Sequence, residues 1–194
     1  GNSENHNRYQ EKVNAIKKYK DANDAQQNGK WKEALTLYNE SIDLDSSNAS
    51  SYNNRGFTKI VLGDTSGGLE DYNKSISLNS NLSNAYNNRG LIYARKKEYN
   101  LALENYNKAI ELDSNYAVAY NNRGMVHSHN KDHEEAIADF TKAIHLNEQD
   151  GRLFTNRAIS YFLINDGLNA CADITKANIL KDTTAKKYIS RFCQ

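Results

Sequence analysis

The stretch Tyr52-Asn53-Asn54-Arg55-Gly56 recurs unchanged at Tyr86–Gly90 and again at Tyr120–Gly124, each copy at the same interval after the last. A degenerate fourth copy, Phe154-Thr155-Asn156-Arg157-Ala158, keeps that interval. A fixed period of this length marks one supersecondary unit stacked on itself, so the fold is read from the repeat and not from the whole chain. Stacked units present the same position again and again along one surface. Such a surface suits gripping a partner better than building an active site.

Working outward, cutting the chain at this period gives five registers: 15–48, 49–82, 83–116, 117–150 and 151–184. The second half of each carries apolar residues at helical spacing, as in Ala102, Leu103, Tyr106, Ala109, Ile110 and Leu112, or Ala136, Ile137, Phe140, Ala143, Ile144 and Leu146. These predict amphipathic helices. The first half predicts a second helix, such as the one from Ala85 to Lys96, joined through a polar turn of which Asn28-Gly29 and Gly63-Asp64 are the clearest. Asp45, Ser46, Ser80, Asp113 and Ser114 are expected to stop one helix and cap the next. Small residues recur where helices must approach: Ala22, Gly56, Gly90, Gly124 and Ala158 in one slot, Ala34, Gly68, Ala102, Ala136 and Ala170 in another. Tyr38, Tyr72, Tyr106 and Phe140 then fill the space between units.

Composition narrows the function. Twenty-five basic residues face 24 acidic ones, a formal charge of +1. That balance offers no pull toward phosphate backbones or anionic lipid, so neither nucleic acid nor membrane is an expected partner. No apolar run approaches the roughly 18 residues that span a bilayer. The polar start, Gly1–Asn7, does not read as a signal peptide. Cys171 and Cys193 do not make a disulfide framework, and Cys171 is expected to pack as a thiol inside the last unit. A reducing, cytoplasmic setting follows, and the glycosylation-type triplets at Asn39, Asn48, Asn73 and Asn81 read as the product of an Asn-rich chain.

The array resembles tetratricopeptide repeats (TPR), whose 34-residue helix–turn–helix pattern sets aromatic, Gly and Ala residues at fixed offsets. The third register carries the match most fully, with Tyr86, Gly90, Tyr93, Ala102, Tyr106 and Ala109 in place. The resemblance covers residues 9–184. It implies an all-α, right-handed superhelical solenoid of five such units, with a flexible segment at 1–8 and a capping helix at 185–194 built on Tyr188, Ile189 and Phe192. Departures are local: Ala25 and Lys59 stand in the first-helix aromatic slot, and Gly67-Gly68 weakens one second helix.

Arg55, Arg123 and Arg157 each have an Asp at one constant distance further along the chain, at Asp71, Asp139 and Asp173, while Arg89 has Asn105 in that slot. These arginines read as clamps holding helix to helix within a unit.

In the family the first helices line a concave groove, which assigns it Asn54, Asn88, Asn122 and Asn156, joined by Asn53, Asn87 and Asn121. An amide offers both donors and an acceptor, and a row of them could meet a peptide backbone. Beside it run Phe57, Leu91, Met125 and Ile159, with Ile60, Val61, Phe162 and Leu163 adjoining and Arg95 near the end of its helix. Recognition of Hsp70 or Hsp90 tails by the family's two-carboxylate clamp requires cations at three slots. The chain supplies Tyr19, Asn23, Asn54, Asn84 and Asn88, so all three cations are missing.

Nothing in the sequence reads as an enzyme. His127, His129 and His133 cluster near one turn but do not suit convergence on a metal. No Gly-rich phosphate loop and no activated nucleophile is recognisable, and no cofactor is expected. The sequence therefore predicts a non-catalytic scaffold that binds an extended peptide or protein in the groove with micromolar affinity. The alternative is a structural or assembly module that self-associates weakly or joins the subunits of a complex, through its convex surface or through an array end such as that at Tyr188 and Phe192. A co-chaperone ranks last. A targeting arm of a longer catalytic polypeptide is a further alternative.

Overall fold

The repeat length is written into the helix boundaries. In a computed structural model that describes residues 2–193, the first helices α3 (Ala49–Val61), α5 (Ser83–Arg95), α7 (Ala117–Asn130) and α9 (Gly151–Leu163) start at equal intervals, the interval of the sequence repeat. The second helices α2 (Trp31–Leu44), α4 (Thr65–Leu78), α6 (Tyr99–Leu112), α8 (His133–Leu146) and α10 (Gly167–Ile179) keep the same interval. The longer α1 (Asn2–Gln27) precedes them and the short α11 (Lys186–Phe192) follows. The described residues form eleven helices and no strand, and none of those helices is long and apolar enough to cross a membrane.

Each hairpin turns on one left-handed residue. Gly29, Gly63, Lys97, Lys131 and Asn165, again one period apart, have φ of 70°, 94°, 62°, 71° and 63°. The N–H that follows reaches back into the helix just ended, as from Lys30 to the Ala25 carbonyl at 2.9 Å and from Asp132 to that of His127 at 2.9 Å, closing the helix end. Glycine takes this conformation freely, whereas the two lysines hold it against a side-chain clash.

The residues expected to stop the second helices do so by a local device. Asp45 and Asp113 end α2 and α6, and each carboxylate accepts from the backbone N–H two positions on, at 3.0 Å. They do not cap the following helix. That role falls to Asn48 on α3 and Asp150 on α9, whose side chains accept from Ser50 and Arg152 N–H at 3.0 and 3.1 Å.

The chain forms two compact units, one ending at Ile92 and one beginning at Tyr93. In the first, Ala22, Ala25, Ala34 and Tyr38 make a buried cluster backed by Tyr19 and Leu37. The Tyr38 hydroxyl donates to Asn23 Oδ1 at 2.7 Å, with Gln26 Oε1 also within reach at 2.9 Å, and burial pushes its phenol pKa up. Gly56 is small because α4 lies against it: an added Cβ would stand 3.0 Å from the Gly68 carbonyl and 3.0 Å from the Tyr72 ring.

In the second unit, Ala102, Tyr106 and Val126 form one cluster and Phe154, Ala158, Ala170, Ile174, Ala177, Ala185 and Phe192 another. The ring of Phe192 stacks on Phe162 at 4.4 Å and on Tyr188 at 5.1 Å, so α11 covers the apolar end of α9 and α10.

Residues 2–8 fall within α1, which no Gly or Pro interrupts from Asn2 to Gln27. One expectation is corrected. Cys171 and Cys193 are not free thiols but a disulfide, because Phe192 draws α11 back over α10 and brings their Cα atoms to 4.8 Å. The bridge also removes the ground for a reducing compartment, since such bonds persist in oxidising ones.

Candidate functional site

The repeated arginine is a three-helix clamp. In the first unit Arg55 donates from Nε and Nη2 to both carboxylate oxygens of Asp71 at 2.8 and 2.7 Å, while Nη1 reaches back to Asn39 Oδ1 at 2.9 Å. Arg123 repeats this on Asp139 and Asn107, and Arg157 on Asp173 and the Thr141 hydroxyl. Arg89 likewise donates to Asn73 at 2.9 Å. The guanidinium on α3, α7 or α9 thus ties its helix to the second helix of its own hairpin and to that of the preceding one. Bidentate geometry and partial burial make these pairs stronger than surface ion pairs, and the paired carboxylate holds Arg55, Arg123 and Arg157 above their ordinary pKa. Lys59, at the slot expected to be aromatic, joins Asp71 at 2.9 Å.

The amide row serves the same end. Asn54 donates to the Tyr19 hydroxyl at 3.2 Å and to Asn23 Oδ1 at 2.9 Å, and accepts from Asn53 Nδ2 at 2.9 Å. Asn88 donates to Asn53 Oδ1 at 3.2 Å. In the second unit Asn156 donates to Asn121 Oδ1 at 2.9 Å in the same relation. Within each compact unit, then, the second Asn of a repeat bonds to the first Asn of the repeat before it, as Asn88 does to Asn53 and Asn156 to Asn121, with Tyr19 in that place for Asn54. Asn53 and Asn87 are 3% exposed and so are not groove-lining groups as expected. The physical reason is proximity: neighbouring first helices lie within amide reach of each other, and a buried amide takes the nearest partner.

What remains open to a ligand mixes exposed apolar side chains with polar ones. A cleft of about 410 Å³ lies along α7 and α9, with Val118, Asn121, Asn122, Met125, Arg152 and Asn156 among its lining residues. Val118 is 52% exposed and Met125 45%. A smaller hollow of about 170 Å³ adjoins it, sharing Met125 and Asn156 and adding His129, Phe140 and Ile159. Val118 and Arg152 also line this cleft, each one turn before Asn121-Asn122 or Thr155-Asn156, which was the available signal. Arg152 is held bidentately by Asp150 at 2.9 and 2.7 Å, and this pairing draws the Asp150 carboxyl below its usual range.

The other expected positions are dispersed. Phe57 and Val61 are exposed on α3, with Trp31 6.1 Å from the Phe57 ring, while Leu91 and Ile60 are half-buried. Phe162 packs under Phe192, Leu163 is exposed at the end of α9, and Arg95 is exposed at the end of α5. The histidines do not converge. His127 Nε2 lies 4.0 Å from Asp139, His129 stacks on Tyr99 at 5.6 Å, and His133 opens α8. Among the described residues no group of three or more His, Cys, Asp or Glu is placed to hold a metal ion.

Comparison with known proteins agrees with this architecture. Family models described as "Tetratricopeptide repeat" and "TPR repeat" match residues 81–149 and 26–59, together more than half of the chain. No curated protein sequence matches. Among solved structures, MamA from Desulfovibrio magneticus RS-1 is 20% identical over 87% of this chain and 95% of its own, with a TM-score of 0.74. YrrB, described as a TPR protein with an unusual peptide-binding site, is 21% identical over 91% and 92%, at 0.70. PilF of Pseudomonas aeruginosa is 16% identical over 94% and 90%, at 0.80. At these identities the likeness is one of fold. With the period, the helix boundaries and the family matches in agreement, the chain belongs to the tetratricopeptide-repeat family.

Proposed function

We propose that the chain is a non-catalytic interaction scaffold that binds an extended peptide, or an extended segment of a partner protein, in the cleft along α7 and α9. The observation that carries this reading is the exposure of Val118 and Met125 on one face of α7, over a hollow large enough for side chains. Apolar side chains of the peptide fill the space beside Met125 and Ile159. Because Asn54, Asn88 and Asn156 already bond to neighbouring helices, the amides have a smaller part than the sequence suggested. Asn121, Asn122 and Asn156 contribute hydrogen bonds at the cleft wall. The fold-level likeness to YrrB is consistent with peptide binding but does not transfer its site.

Burying two or three apolar side chains yields about 1.5–3 kcal/mol each, opposed by the ordering of a flexible ligand. Micromolar affinity is the expected balance. The test is selection of short peptides from a displayed random library on the wild-type chain, with counter-selection on Val118→Glu and Met125→Glu. The reading requires selected peptides that lose binding to both variants. Peptides that bind all three equally, or an enrichment no greater than background, would reject it.

A further inference from the structure

The outer row of α10 departs from every equivalent helix in the chain. Because the second helices start one repeat period apart, their positions compare one for one. Where α10 has Leu168, the others have Lys32, Ser66, Asn100 and Glu134; where it has Ile179, they have Asp43, Ser77, Glu111 and His145. Positions that are polar in four helices are large and apolar in the fifth, and there Leu168 is 84% exposed and Ile179 67%. Ala172 and Thr175, also exposed, lie between them on the same face at helical spacing. Scattered single apolar residues need no account, but an aligned row against the pattern of four sibling helices does.

We propose that this row is the contact surface for a second copy of the chain, with α10 packed antiparallel against α10 of the copy. The row is symmetric about its midpoint between residues 173 and 174, reading large, small, small, large in either direction. A two-fold axis there sets Leu168 against Ile179 of the copy and brings Ala172 and Thr175 together where the helices cross, so small side chains allow close approach. Charge points the same way. None of the four side chains is charged, and Asp173 is turned inward to Arg157. An acidic or basic partner therefore finds nothing to pair with along the row, while self-pairing sets no like charges against each other within it. On the flank, the two-fold places Lys176 nearer to Asn169 of the copy than to its Lys176. The array end at Tyr188 and Phe192 does not offer this surface, because Phe192 is buried and Tyr188 half-buried.

The experiment is sedimentation velocity on the disulfide-intact chain over a wide concentration series. It compares wild type with Leu168→Glu and Ile179→Glu. Glutamate already stands at both equivalent positions, Glu134 and Glu111, so the helix tolerates it, and circular dichroism confirms folding. A reversible dimer is expected, with a dissociation constant raised at least about tenfold by either variant. Ala172→Cys should also link to dimer through a short bismaleimide. A wild type that stays monomeric throughout, or a dimer indifferent to both Glu variants, overturns the assignment.

Discussion

Replacing Asn54 with Ala separates an amide that stitches helices from one that awaits a ligand. The side chain bonds to Tyr19, Asn23 and Asn53, two of these on α1. Losing the two bonds to α1 removes about 0.5–1.5 kcal/mol each. The third leaves the Asn53 amide, 3% exposed, without its acceptor, which costs about 1–3 kcal/mol. Water entering beside the half-buried Asn54 offsets part of this, so a loss of about 2–4 kcal/mol is expected. The assay is urea unfolding followed by fluorescence of Trp31, the sole tryptophan, which lies in the same compact unit near Phe57. A change below about 0.5 kcal/mol, the range of an ordinary surface substitution, would refute the stitching role and return the amide to the groove.

Three further outcomes follow from the same geometry. Gly124→Leu should destabilise the unit from Tyr93 by about 1–3 kcal/mol in thermal melts, because even a Cβ would stand 2.9 Å from the Phe140 ring and 3.2 Å from Asp139 Cβ. Lys131→Gly should stabilise it by about 0.5–1 kcal/mol by relieving a left-handed non-glycine residue; a lower melting temperature would contradict this. Asp150 has its carboxyl pKa depressed in the folded state by Arg152. Its extra stability is therefore present above the ordinary carboxylate pKa and lost as pH falls through the lower folded value. Asp150→Asn, which keeps a capping side chain, should melt below wild type at neutral pH and converge with it in acid. A gap that does not change with pH would refute the linkage.

Much of the fold was legible because the repeat carries its own punctuation. The Asn-Asn-Arg-Gly copies fixed the period, and the constant spacing from Arg55, Arg123 and Arg157 to an Asp revealed the clamp as a within-unit contact. The backward bond to Asn39, Asn107 or Thr141 was not legible, since it depends on how consecutive hairpins stack. Asn53 and Asn87, both buried, misled for the same reason. Asn at a groove-lining offset states the direction of a side chain, not the distance to the next helix, and that distance decides whether the amide faces a ligand or a neighbour. Nor did the separation of Cys171 and Cys193 along the chain announce a bridge, because the return of α11 onto α10 is set by Phe192 packing. Lys97 and Lys131 in left-handed turns were likewise hidden, being residues that rarely adopt that conformation.

Met125 is the single methionine of the chain and sits in the cleft along α7 and α9. Protein labelled with ¹³C at the methionine methyl therefore gives one resonance that reports on that cleft alone. Titrated with a library-selected peptide, this resonance should shift progressively to saturation at micromolar concentrations while Trp31 emission stays constant. Saturable binding of the peptide, measured independently by calorimetry, with the Met125 methyl resonance unmoved would contradict the account.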